Sequence, residues 1–228
     1  MGSSQKPRKL PKPDYTNMNY TKKQEIHRLN ELIDRALVEP SDGLIQELLH
    51  RSSQHKLNSL VERVRRRVTI LSRHYPKQNK HFVEARDKMI YAIYGSDVPQ
   101  GWYCGWGDGA SFRMGKNKLS GVGIIIMDPQ GNVVVKKSKP VNTADSFQTE
   151  IAALVHALEV GVELGAPNIR IYTDCKALVL LWLRHRHDRR LARIRPLAGK
   201  FWHMEIRAIP RLHNQPAHAL ARYGALQA

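Results

Sequence analysis

Cysteine is scarce in this chain, and so is negative charge. Two cysteines in 228 residues, Cys104 and Cys175, cannot build a disulfide framework and do not have a metal-binding spacing. Long apolar runs are missing as well: none reaches the roughly 18 residues that a membrane-spanning helix needs. The first residues, Met1-Gly2-Ser3-Ser4-Gln5-Lys6-Pro7-Arg8, are basic but lack the apolar stretch of a secretory signal. Lys6 stands where a myristoylation pattern requires Ser or Thr. These absences point to a reducing compartment. The expected location is cytoplasmic or nucleoid-associated, with no membrane. Aspartate and glutamate total 20 against 37 lysines and arginines, a formal net charge of +17. The excess is spread over both halves of the chain, so a polyanion, most simply nucleic acid, is the expected partner.

The pattern of the first hundred residues is helical. Residues 1–19 hold three prolines and four basic side chains with little to bury, and read as a disordered basic arm. Ile26, Leu29, Leu32, Ile33, Ala36 and Leu37 then recur at helical steps until Glu39-Pro40. Ser41 reads as the N-cap of a short helix through Leu44, Ile45, Leu48 and Leu49. A longer helix is expected from Lys56 to Tyr75 and a fourth from Lys80 to Tyr94, the latter burying Phe82, Val83, Met89, Ile90 and Ile93. Residues 20–96 thus read as a small basic helical bundle. Its arginine cluster, Arg63, Arg65, Arg66, Arg67 and Arg73, fits either phosphate contact or a solvated helix face.

After a short linker, 97–101, the texture changes. Strands are expected over Trp102–Gly107, Gly121–Met127 and Val133–Lys137, joined closely enough for an antiparallel meander. A helix over Ser146–Leu164 should end at Gly165, followed by a strand over Ile169–Thr173 and a helix from near Cys175. A basic block, Arg184-His185-Arg186-His187-Asp188-Arg189-Arg190, precedes a strand over Met204–Ile209 and a last helix from Pro216. The order β-β-β-α-β-α-β-α predicts an α/β domain over 102–228, a mixed sheet flanked by helices.

Three carboxylates converge in that scheme. Asp108 lies in the Gly-rich first strand, and alone would be only a turn-like aspartate. Glu150 lies in the first turn of a helix whose Ile151 and Leu154 face the core, which leaves it free to point along the sheet edge. Asp174 ends a strand, where open α/β sheets place their ligands. Three such charges cannot be buried together cheaply. A hard divalent cation with oxygen ligands resolves the conflict.

On these residues the chain resembles ribonuclease H of type 1. The likeness rests on Asp108-Gly109-Ala110-Ser111, Thr149-Glu150-Ile151-Ala152-Ala153-Leu154, Ile171-Tyr172-Thr173-Asp174-Cys175, and the closing Asn214-Gln215-Pro216-Ala217-His218-Ala219-Leu220-Ala221-Arg222. It implies a ribonuclease H-like five-stranded mixed sheet, preceded here by the all-helical region. It also implies an endonuclease that cuts the RNA strand of RNA–DNA hybrids with two Mg²⁺ ions, Mn²⁺ being the substitute. Asp108, Glu150 and Asp174 would be the catalytic and metal-holding carboxylates. The family's usual fourth residue is an aspartate in the closing motif, whereas this chain has His218, as in plant- and retroelement-type members. Imidazole suits Mg²⁺ less well than carboxylate, so His218 is either a weaker ligand at the fourth position or a helix-surface histidine. The resemblance makes Asn142, Gln148 and Asn214 candidates for minor-groove contacts. It also places Arg184, Arg186, Arg189 and Arg190 at a basic protrusion. Asn142 and Gln148 equally suit a loop and a helix start, and Trp182 reads as core.

In the family the strands carrying Asp108 and Asp174 are parallel neighbours, so Cys104 and Cys175 should stand roughly 16 Å apart, beyond the reach of a disulfide. Proofreading-type exonucleases usually carry Asp-x-Glu on the first strand, which Asp108-Gly109-Ala110 lacks. Transposase cores put their glutamate last, whereas Glu150 comes second. A non-catalytic nucleic-acid-binding or scaffolding protein with the same fold is the alternative. The helical bundle has no recognised motif; added affinity for duplex nucleic acid, or docking of a partner, is its expected role.

Overall fold

A computed structural model describes residues 20–52 and 57–227, with side chains from residue 24. The basic arm expected over 1–19 lies outside the described residues. The chain divides into two compact units, residues 1–94 and 95–228. Among the described residues no helix is long and apolar enough to cross a membrane.

The first unit holds helices α1 (Tyr20–Val38), α2 (Asp42–Arg51), α3 (Leu57–His74) and α4 (Asn79–Gly95). Ser41 caps α2, its hydroxyl accepting from the Leu44 N–H at 3.3 Å. The apolar stripes close on one another: Ile33, Leu37, Leu48, Val61, Val64, Leu71, Met89 and Ile93 are fully buried. Val83, expected in this core, is only half-buried. A single 3₁₀ turn at Pro76–Gln78 joins α3 to α4. One arginine of α3 turns inward. Arg67 and Asp34 form a buried two-pronged ion pair, with Arg67 Nε donating to Asp34 Oδ1 at 2.6 Å.

The second unit is a five-stranded sheet in the order β3-β2-β1-β4-β5. Its strands are β1 (Tyr103–Met114), β2 (Asn117–Met127), β3 (Val133–Pro140), β4 (Asn168–Thr173) and β5 (His203–Ala208). β1, β2 and β3 form the antiparallel meander, and β4 and β5 add in parallel. Helices α5 (Ser146–Glu163), α6 (Lys176–Arg184), α7 (Ile194–Ala198) and α8 (Gln215–Ala225) complete the unit. Its core joins Ile124 and Ile126 of β2, Leu154 and Leu158 of α5, Ile169 and Ile171 of β4, Leu178 of α6 and Ile206 of β5. Trp182 is buried in it, as its sequence context suggests. β2 is buried continuously from Ser120 to Met127 because helices cover both of its faces. Arg170, buried in β4, donates to Glu205 and to the Asp97 carbonyl. Asp97, at the start of the expected linker, is thereby tied to the sheet.

Glycines set the depth of the two helices that matter most. A Cβ on Gly109 would meet the Thr149 carbonyl carbon at 2.6 Å, so α5 begins directly against β1. A Cβ on Gly123 would lie 2.4 Å from the Ala217 oxygen and the Ala221 nitrogen of α8. Asp108 pairs with Gly123 in the register, so its side chain projects on the α8 face. Gly165, at φ +66°, ends α5 as expected.

Candidate active site

β1 and β4 are in register to Trp106↔Tyr172, and the same offset carried two residues further sets Asp108 beside Asp174. Cys104 opposes Arg170, five residues before Cys175, and both cysteines are free. β4 ends at Thr173, whose hydroxyl accepts from the Cys175 N–H at 3.1 Å and turns the chain into α6. On the other side, Asp145 caps α5 by accepting from the Gln148 N–H at 2.7 Å. Thr149, fully buried, hydrogen-bonds Thr143 and the Asp145 carbonyl. That locked first turn delivers Glu150, whose carboxylate accepts from the Gly109 N–H at 3.3 Å. Asp108, Glu150 and Asp174 each present an oxygen within 4.8 Å of the others.

The cluster is electrostatically costly. Asp108 is 2 % exposed. Burial, the hydrogen bond with Asp174 and the charges of Glu150 and Asp174 push its pKa up to about 10. Burial and Asp174 push Glu150 up to about 7, against the opposing pull of the Gly109 N–H and Arg211. Among the described residues no lysine or arginine forms an ion pair with any of the three. Three hard oxygen donors with a surplus of negative charge are the ligand set of a divalent cation.

Two side chains from the start of α8 complete the centre. Asn214 is fully buried, and its Nδ2 donates to the Gly107 carbonyl at 3.1 Å, to Asp174 Oδ1 at 3.2 Å and to Asp108 Oδ1 at 3.4 Å. The resemblance makes it a candidate for the minor groove; in the structure its Nδ2 lies between the carboxylates and its side chain is buried. One helical turn on, His218 Nδ1 lies 2.8 Å from Asp108 Oδ2. His218 adjoins the carboxylates through this hydrogen bond and is not one of the three clustered groups. Burial and the nearby Arg211 lower its pKa. His213 is buried.

The remaining candidates lie around this centre. Asn142 is exposed in the loop after β3. Gln148 is exposed, and its Oε1 accepts from the Ala144 N–H, so it serves the start of α5. Arg184 ends α6 and lines a surface hollow with Phe147, Leu180 and Arg190. Arg190 lies over the Phe147 ring and is clamped by Asp188. Arg186 lies over Trp182, and Arg189 is exposed. Phe147 also lines the cleft that holds Glu150 and Asp174, so the two hollows share a wall. A roomier hollow of roughly 640 Å³ lies in the first unit, lined by Arg28, Arg35 and Arg51 together with Glu31, Glu39 and Glu47, of which Arg51 and Glu47 pair at 2.9 Å.

One residue of the centre escaped the sequence reading. Arg211 lines the carboxylate cleft, and its charge lowers the pKa of Asp108, Glu150 and His218. The available signal was its place as the lone arginine between β5 and α8.

Residues 107–224 match the family model described as reverse transcriptase-like. No curated protein matches the chain. Among solved structures, one similar chain is ribonuclease H1 from the halophilic archaeon Halobacterium salinarum NRC-1, at 28% identity over 56% of this chain and 100% of that one, with a TM-score of 0.49. Another is a foamy viral protease–reverse transcriptase in complex with RNA/DNA hybrid, at 17% identity over 57% of this chain and 21% of that one, with a TM-score of 0.50. A third is LC11-RNase H1 in complex with RNA/DNA hybrid, at 19% identity over 55% of this chain and 97% of that one, with a TM-score of 0.47. The five-stranded sheet has the mixed, helix-flanked form that the resemblance to ribonuclease H implies, and the match across most of the second unit leads to one assignment: the chain belongs to the reverse transcriptase-like family.

Proposed function

We propose that the second unit is a metal-dependent endonuclease that hydrolyses the RNA strand of RNA–DNA hybrids. The observation that carries this reading is the buried cluster of Asp108, Glu150 and Asp174. Family membership and the net charge of +17 support it.

Asp108, Glu150 and Asp174 would hold two divalent ions, Mg²⁺ or Mn²⁺. When bound, such ions activate a water and stabilise the leaving 3′ oxygen of a phosphodiester. The chain's own residues set up that reaction. Asn214 holds Asp108 and Asp174 side by side and neutralises part of their repulsion with its N–H groups. Gly109 fixes Glu150 through its N–H, and Arg211 supplies a positive field that draws a phosphate into the cleft. His218, with Nδ1 on Asp108, orients that carboxylate. Arg184, Arg186, Arg189 and Arg190 would follow the hybrid backbone, with Asn142 and Gln148 reaching its minor groove. Hydrolysis adds water across the P–O3′ bond and leaves a 5′-phosphate and a 3′-hydroxyl.

A second reading, a hybrid-binding protein that does not cut, rests on His218 at the fourth position. A labelled RNA–DNA hybrid with Mg²⁺ or Mn²⁺ separates the two. Cleavage that Asp108→Asn abolishes supports the nuclease; binding without cleavage in either metal supports the alternative.

A further inference from the structure

The helical unit carries one strongly charged surface, on helix α3. Helix α3 carries five arginines and a single acid, Glu62. Arg67 is buried on Asp34, and Arg65 pairs with Glu62 at 3.1 Å. The ion pairs of α3 are those two, and among the described residues Arg63, half-buried, and Arg66 and Arg73, both exposed, form none. Four other cations of the unit are matched, in Arg51–Glu47, Lys80–Glu84, Arg86–Asp87 and Lys88–Asp42, while Arg28 and Arg35 of α1 lie singly on a different helix.

The three unmatched arginines share a side of the helix. At 3.6 residues per turn they fall within about 80° of one another, turned away from buried Leu60, Val64 and Leu71, and they span about 15 Å along the axis. A solvated helix face interleaves charges of both signs; the one acid of α3, Glu62, is paired with Arg65 at 3.1 Å. We propose that Arg63, Arg66 and Arg73 dock the sugar-phosphate backbone of duplex nucleic acid, a claim that rests on the nucleic-acid reading of the catalytic unit.

The surroundings of the stripe select the duplex. Proteins that hold single strands combine positive charge with several aromatic platforms for successive bases, and α3 has no Phe, Tyr or Trp, its single ring being His74 at the last position. A membrane surface is taken up by helices that also insert apolar side chains. Here Leu60, Val61, Val64, Val68 and Leu71 are at most 5 % exposed, which leaves only half-buried Ile70 near the stripe. A row of cations with one half-buried apolar side chain and one terminal ring beside it suits a surface that offers phosphates.

The test uses the full chain carrying Asp108→Asn, a fluorescent RNA–DNA hybrid and a salt series in metal-free buffer. Adding R63Q, R66Q and R73Q together should flatten the slope of log K against log salt by about 2 to 3, close to one for each phosphate contact removed. The matching R63K, R66K and R73K chain should keep the parent slope. Equal slopes for the Gln chain and its parent would overturn the proposal. So would a Lys chain that loses as much as the Gln chain, since packing rather than charge would then be responsible. A Gln chain that loses affinity for single-stranded RNA while keeping the duplex would also overturn it. Cleavage by the chain with Asp108 intact is scored separately. Cleavage with unchanged slopes sinks the stripe alone, and a flattened slope without cleavage sinks the nuclease alone.

Discussion

Burial and the neighbouring Glu150 and Asp174 push the Asp108 carboxyl well above the ordinary carboxylate range. Its folded pKa of about 10 and that of Glu150, about 7, both lie above the ordinary values of 3.8 and 4.5. The folded protein therefore binds more protons than the unfolded chain. The resulting stability is fully present below the ordinary values and is lost as pH rises through about 7 for Glu150 and about 10 for Asp108. In chelator, Asp108→Asn should gain in Tm relative to wild type as pH rises from about 5 to about 8. A Tm difference that stays constant with pH would remove the electrostatic account of the cluster. Asn214 gives a second expectation. Asn214→Ala takes away the donor that both carboxylates share, and should weaken Mn²⁺ binding about 10- to 100-fold, read by calorimetry. His218→Asp supplies a harder ligand than imidazole and should lower the Mg²⁺ concentration needed for half-maximal cleavage. An unchanged metal titration would place His218 outside the metal site.

At the scale of elements, the centre depends on two helices resting directly on strand backbone. Gly109→Ala would press a methyl group into the first turn of α5. It should cost about 1–3 kcal/mol in a denaturant titration, with a larger loss in cleavage because Glu150 moves with that turn. The helices and the central strands were legible because burial imposes a period on them. The apolar residues of α1 and α3 recur at three and four, and β2, covered on both faces, reads as one apolar run. Where burial stops, so does the signal. β1 and β2 extend past the expected strands to Met114 and back to Asn117, through exposed Arg113, Lys116 and Lys118 around the Gly115 turn. A hairpin in solvent leaves no periodic trace. Helix α7 and the 3₁₀ turn at Arg189–Leu191 were hidden by the basic residues around them. In the site, the three carboxylates could be found because each has a distinctive local setting. The contact of Asn214 with Asp108 and Asp174 could not be read from the sequence, since an asparagine before a helix gives no sign of its burial.

The whole molecule joins a positive surface to a compact negative centre. A cluster of three carboxylates in a chain of net charge +17 repels its substrate only locally, while the surrounding charge attracts it. Binding should therefore weaken steeply with salt, whereas the requirement for a divalent ion should persist at every salt concentration. The most direct measurement is cleavage of an end-labelled RNA–DNA hybrid by the full chain with Mg²⁺ or Mn²⁺, beside Asp108→Asn. The expected result is metal-dependent cutting of the RNA strand alone, abolished by the substitution while hybrid binding remains. Binding without cutting in either metal, or cutting that survives Asp108→Asn, would contradict the assignment of the carboxylate cluster as the catalytic centre.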